Sequence, residues 1–203
     1  MKNNKVRQLV LLGLFTAILL IMSWTPLGYL KVGFLEITLN VIPLAVAAIT
    51  IGPAGGAVTG AVFGLTSFLQ CIGIGGISPL GEVLFGINPF FCFIVCFVPR
   101  LLDGVLCGVI FRVLSKTLPK SLSSYIVGFG AAFLNTVFFM SALVLLYGST
   151  SYMQELIAGR NIVVFVCAFV GINAVFEMLA CTLVSGAVGS ALHRSGVVLS
   201  NNR

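Results

Sequence analysis

Five polar residues interrupt otherwise apolar stretches: Arg100, Asp103, Asn135, Asn173 and Glu177. Arg100 follows Asn88 by 12 positions, Asn135 precedes Tyr147 by 12, and Asn173 follows Asn161 by 12. At about 1.5 Å of rise per helical residue, each lies roughly 18 Å from one end of its own helix, so three helices carry a polar group in one layer. A guanidinium offers a planar fork of donors to a carboxylate, and primary amides both donate and accept. Such a layer could form a polar pocket, open to the outside, that receives a carboxylate. Glu177 falls one turn beyond Asn173, and Asp103 three residues beyond Arg100. Either acid could neutralise the arginine in a structural ion pair, because buried charges are usually paired. The two readings are compatible, since an arginine aligned by Asp103 keeps other N–H groups free. Asn40, Gln70 and Asn88, near predicted helix ends, are further candidates for the same site. Asn40 also suits an N-cap, and Gln70 and Asn88 could simply face water. Among the phenylalanines Phe63, Phe68, Phe90, Phe91, Phe138 and Phe139, most would be lipid or core contacts, with one or two lining an apolar half of the site.

The elements that must hold this layer are membrane helices. Only 8% of the 203 residues are charged, 59% are apolar or aromatic, and mean hydropathy is +1.17. A soluble domain carries roughly 25% charged residues. No charge occurs between Arg7 and Lys31, Glu36 and Glu82, or Lys120 and Glu155, gaps of 23, 45 and 34 residues. A span needs about 20 apolar residues, so each gap holds at least one and the longest holds two. Apolar runs and breakers predict an all-α membrane protein, a single six-helix bundle over 1–203, with helices at 8–24, 37–51, 54–71, 88–113, 123–147 and 161–192. Connections at 25–36, 72–87 and 148–160 then share one side, and Gly-rich stretches in the first two could fold over a pocket.

Lys2, Lys5, Arg7, Arg112, Lys116, Lys120, Arg194 and Arg203 fall on the side of the termini, against Lys31 and Arg160 on the other. The excess of basic residues in cytoplasmic segments predicts cytoplasmic termini and accounts for the net charge of +6 without nucleic acid. Trp24, Tyr29, Tyr147 and Tyr152 would then sit at the outer interface. The basic N-terminus resembles a secretory signal, but Ser23-Trp24-Thr25-Pro26 offers no small-x-small cleavage site, so the first span is expected to be retained.

Several chemistries are excluded. The only histidine, His193, lies beside Arg194 near the C-terminus, which removes His-based metal sites and Ser–His or Cys–His pairs from the core. No phosphate loop precedes Ser115-Lys116-Thr117, so any ATP must be bound by another chain. Cys71, Cys92, Cys96, Cys107, Cys167 and Cys181 lack C-x-x-C spacing and read as small buried hydrophobes, with no metal or cofactor expected. The scattered acids Glu82, Asp103 and Glu177 make a weak case for an enzyme.

Small residues give the packing signal. Gly52, Gly56, Gly60 and Gly64 recur every four positions, and Gly13 with Ala17 repeats the device on the first helix. Such stripes let helices approach closely, either inside the bundle or against another membrane protein. All six positions are therefore candidate partner contacts, and a non-transporting scaffold whose polar layer is only structural remains a competing function.

Taken together, the six spans, Gly13-Leu14-Phe15-Thr16-Ala17, Thr25-Pro26-Leu27-Gly28, Ile42-Pro43, Ile51-Gly52-Pro53, Phe63-Gly64-Leu65-Thr66-Ser67 and Phe97-Val98-Pro99-Arg100 resemble the substrate-binding S components of energy-coupling factor (ECF) vitamin transporters, most closely the pantothenate branch. The resemblance covers nearly the whole chain. It implies a non-catalytic, high-affinity vitamin-binding subunit in a bacterial cell membrane, working with a transmembrane T component and two ATPases that carry the ATP. It also implies that the small-residue motif of the first helix meets the T component, that vitamin binds near the external face, and that the subunit topples to release it. Arg100 and Asn135 match the positions that would hold the ligand. Glu82 and Asn88 depart from the branch, leaving riboflavin, pyridoxine or folate as alternative substrates.

Overall fold

The computed structural model describes residues 2–26, 28–32, 35–76, 78–157, 159 and 161–196, without the side chains of 2–4, 29–32, 35–36, 162–169 and 172. Gly33, Arg160 and Arg203 lie outside the described residues, as do the side chains of Lys2, Tyr29, Lys31 and Cys167.

The chain begins with helix α1 (Lys2–Ser23), followed by a hairpin of strands β1 (Tyr29–Val32) and β2 (Leu35–Thr38). The strands are antiparallel, pairing Tyr29 with Thr38 and Val32 with Leu35. Helices α2 (Val41–Ile51), α3 (Pro53–Cys71), α4 (Pro79–Ile87), α5 (Pro89–Thr117), α6 (Lys120–Tyr147), α7 (Ser151–Ile157) and α8 (Ile162–Arg194) follow.

An all-α membrane architecture thus stands, with two differences from the sequence expectation. Among the described residues, five helices are long and apolar enough to cross a bilayer: Lys5–Ser23, Pro53–Cys71, Pro89–Thr117, Lys120–Tyr147 and Asn173–Arg194. The expected helix 37–51 is not a sixth of that length. Its first residues form the end of β2, and the remaining 11 give α2 a length of about 16 Å, half of a roughly 30 Å hydrocarbon core. A short, wholly apolar helix of this kind is a core element. Val41, Leu44, Ala45, Ala48 and Ile49 are buried in a cluster with Phe63, Cys107, Phe111, Val127 and Cys181, so α2 is wrapped by α3, α5, α6 and α8. The second difference is that two predicted loops contain helices. Pro79 at the first turn starts α4, and α7 occupies Ser151–Ile157.

The glycine stripe is spent inside the chain. A Cβ on Gly56 would fall on the Gly104 carbonyl oxygen, one on Gly60 on the Arg100 carbonyl oxygen, and one on Gly64 would lie 2.7 Å from Phe97 Cα. The expectation that Gly56, Gly60 and Gly64 meet a partner is therefore corrected: they let the α3 and α5 backbones touch, the device small residues serve where lipid supplies no hydrophobic drive. Gly52 is likewise buried and makes the α2–α3 turn, with φ +97°, a conformation that favours glycine. Gly13 is different. It is exposed, nothing lies within 4 Å of the position its Cβ would take, and Ala17 is exposed one turn on. The aromatic belt also needs correcting. Trp24 is exposed, but Tyr147 is fully buried with its hydroxyl 2.9 and 2.8 Å from the carbonyl oxygens of Leu84 and Asn88, bracing the α4–α5 elbow.

Candidate functional site

Arg100 owes its position to the residue before it. Pro99 lies inside α5 and has no N–H, so the Val95 carbonyl, its normal helical acceptor, loses a partner. The Arg100 guanidinium supplies one: Nη1 donates to Val95 O at 2.7 Å. The side chain thus runs back along α5, with its guanidinium carbon 4.6 Å from the ring centroid of Phe139 and 5.4 Å from that of Phe63. Both distances are within cation–π range. Arg100 is only 7% exposed, and its Nε has no hydrogen-bond partner among the described residues.

Neither acid closes on it. Glu177 Oε1 accepts a 2.6 Å hydrogen bond from the Thr38 backbone N–H, tying β2 to α8. Asp103, fully buried, accepts from the Cys107 thiol at 3.3 Å through Oδ1, and its Oδ2 has no partner among the described residues. Neither of the ion pairs considered from the sequence, Arg100 with Asp103 or with Glu177, is among these bonds.

A cavity of about 100 Å³, room for several waters, opens beside the guanidinium. Its walls come from helical faces at three- and four-residue spacing: Ser67, Gln70 and Cys71 from α3, Cys96 and Arg100 from α5, Asn135, Thr136, Phe139 and Met140 from α6, and Val170, Asn173 and Glu177 from α8. Thr38 of β2 and Ser78, Leu80, Gly81 and Leu84, at the start of and within α4, complete the lining. The lining therefore mixes polar and apolar groups. Asn135 is 5% exposed and its Oδ1 has no partner among the described residues. A buried acceptor and a buried guanidinium donor, both unspent, equip the cavity to hold an anion bearing hydrogen-bonding groups.

Of the sequence candidates, Arg100, Asn135, Asn173, Glu177 and Gln70 line this cavity. Gln70 is buried rather than facing water, and its Nε2 donates to Ser23 O at 2.7 Å, joining α3 to the end of α1. Asn40 and Asn88 are not in the lining. Asn40 is fully buried at the start of α2, makes no side-chain cap bond, and leaves both side-chain polar atoms unpartnered among the described residues. Asn88 caps α5: its Oδ1 accepts from the N–H groups of Phe90 and Phe91 at 3.0 and 3.1 Å. Its side chain is thus engaged in a helix cap. Sequence reasoning missed Thr38, Ser67, Ser78 and Thr136. Ser67 and Thr136 were legible as hydroxyls on the faces of Gln70 and Asn135; Thr38 and Ser78 depend on the hairpin and α4.

The whole chain has relatives consistent with this arrangement. A protein of Leuconostoc mesenteroides subsp. mesenteroides, the pantothenate transporter PanT, is 29% identical over 197 residues, an alignment covering 95% of each chain. The family model for the substrate-specific component of ECF transporters matches residues 7–188, and this chain belongs to that family.

Proposed function

We propose that the chain captures pantothenate from outside a bacterial cell as the substrate-binding subunit of an ATP-driven importer, and does no chemistry itself. The observation that carries this reading is the buried Arg100 guanidinium, held by Val95 and two aromatic rings, beside a cavity with polar and apolar walls. Pantothenate is a carboxylate with an amide and hydroxyls. Its carboxylate would meet Arg100, its amide and hydroxyls Asn135, Asn173 and Gln70, and its carbon skeleton Phe139 and Met140. The similarity to a pantothenate transporter supports the same substrate. The basic residues near the termini support a cytoplasmic placement of both ends, with the cavity toward the outside. ATP would be bound by two partner ATPases. The exposed small-residue face of α1, at Gly13 and Ala17, would meet the transmembrane partner.

The test is thermal unfolding of the detergent-purified chain with a panel of vitamins. Saturation at 100 times the dissociation constant adds about 2.7 kcal/mol, so pantothenate should raise the midpoint selectively. Arg100→Ala should leave the chain folded and weaken pantothenate by roughly 30-fold or more, the 2–5 kcal/mol typical of a buried charge losing its partner. A selective response to another vitamin would replace the substrate, and no response to any would defeat the reading.

A further inference from the structure

Three cysteine sulfurs converge where α3, α4 and α5 meet. Cys92 and Cys96 lie one turn apart on α5, Cys71 ends α3, and all three are buried free thiols. Their Sγ atoms lie within 4.8 Å of one another, with Cys71 and Cys96 3.6 Å apart. With metal–thiolate bonds of about 2.3 Å, three sulfurs around one ion stand roughly 3.8–4.0 Å from each other, so the trio needs only small adjustments. We propose that Cys71, Cys92 and Cys96 form a three-coordinate site for a thiophilic d10 cation, a divalent ion of the zinc group.

The other buried thiols described show what isolated core cysteines do here. Cys107 bonds to Asp103 and Cys181 to Ser185, each on its own helix and each with a single oxygen. In the trio the sulfurs face each other instead. Among the described residues, Cys71 keeps one carbonyl, Ser67 O at 3.3 Å, Cys92 has only Gly81 O at 3.9 Å, and Cys96 meets the Ser67 side chain. Gly81 leaves room for this convergence, since a Cβ there would lie 2.5 Å from Cys71 Sγ. The Tyr147 hydroxyl, between the Leu84 and Asn88 carbonyls, holds the α4–α5 elbow against the trio.

Access and charge support the same assignment. Cys71 and Cys96 line the cavity, which gives an ion a route to the sulfurs. Three thiolates select soft ions over magnesium or calcium, which prefer oxygen. On binding, each S–H bond breaks, its proton passes to water, and a sulfur–metal bond forms. For a divalent ion the centre carries one negative charge. Arg100, one turn beyond Cys96 and lining the same cavity, places a positive charge beside that centre when the cavity holds no other anion.

The experiment uses the full chain in detergent, reduced and chelator-treated, then given cadmium as the probe and desalted. We expect one cadmium retained per chain, a thiolate-to-cadmium charge-transfer band in the ultraviolet, and three sulfur neighbours by X-ray absorption. The double variant Cys92→Ser/Cys96→Ser should lose the retained metal and the band, while Cys107→Ser/Cys181→Ser keeps both. Absorption on the unmodified chain needs no variant to fold. Fewer than three sulfur neighbours, no retained cadmium, or equal retention by the Cys92→Ser/Cys96→Ser chain would overturn the assignment.

Discussion

Helices α3 and α5 meet twice, with opposite results. Along the glycine stripe their backbones touch, at Gly56 with Gly104, Gly60 with Arg100 and Gly64 with Phe97. Further along the same pair, where Ser67, Gln70 and Cys71 of α3 face Cys96 and Arg100 of α5 and α4 packs alongside, a cavity opens. The difference is one of side chains. Where Cβ atoms are missing the backbones touch, and where polar and sulfur-bearing side chains replace glycine the same pair lines a cavity. Arg100 belongs to both regions: its carbonyl lies in the seam against Gly60, and its guanidinium lines the cavity. The seam fixes the backbone from which the guanidinium projects, so close packing below acts as preorganisation above.

The strongest way to break this comparison is to force the seam apart. Gly60→Leu places a side chain against the Arg100 carbonyl and the Leu101 Cα, both backbone atoms that cannot swing away. Overpacking a core costs about 1–3 kcal/mol, and a backbone clash belongs at or above the upper end. Thermal unfolding in detergent should show a large fall in midpoint, with pantothenate binding lost alongside it. Gly13→Leu is the matched control. With nothing near that position, its stability should stay within about 0.5 kcal/mol of the parent, and its effect should appear only when partner subunits are co-purified. Equal stability of the two variants would mean that the seam does not carry the fold.

That register also explains what could be read from the sequence. Helix rise alone anticipates that Arg100, Asn135 and Asn173 reach one depth, and they share a cavity. The run from Ile37 to Ile51 conceals the end of a strand, because β2 depends on pairing with Tyr29–Val32, a non-local fact no apolar pattern records. By contrast, Pro79 is a local helix-start signal that the glycines around it outweigh, whereas Asn88-Pro89 marks the start of the expected helix 88–113. The cysteine trio needed the α3–α5 crossing. Moving from Gly56 to Gly60 to Gly64 steps α5 back from Gly104 to Arg100 to Phe97, and continuing in that register places Cys71 opposite Pro89 and Phe90, within one turn of Cys92. The stripe encodes that proximity, but only once it is known to pack inside the chain.

A smaller change sharpens the role of the shared residue. Pro99→Ala restores an N–H that can donate to Val95 O, displacing the Arg100 guanidinium from that carbonyl. The unliganded chain should be no less stable, because a proline inside a helix is itself unfavourable. Pantothenate should bind roughly 3- to 10-fold more weakly, the 0.5–1.5 kcal/mol of ordering a freed side chain on binding. Calorimetric titration beside thermal unfolding separates the two effects. Unchanged affinity would show that the Val95 bond does not preorganise the guanidinium.

Asn88 provides the finest test, because it lies on the elbow beside the cavity without lining it. Its Oδ1 holds two N–H groups at the start of α5, and its carbonyl, which substitution leaves in place, faces the Tyr147 hydroxyl. Asn88→Ala should therefore cost about 1 kcal/mol of stability, the usual worth of such a cap, and Asn88→Ser should recover most of it. Pantothenate affinity should stay the same in both. A loss of affinity at unchanged stability would turn the cap into a ligand contact and move the boundary of the site from the α5 face bearing Cys96 and Arg100 to the α4–α5 elbow.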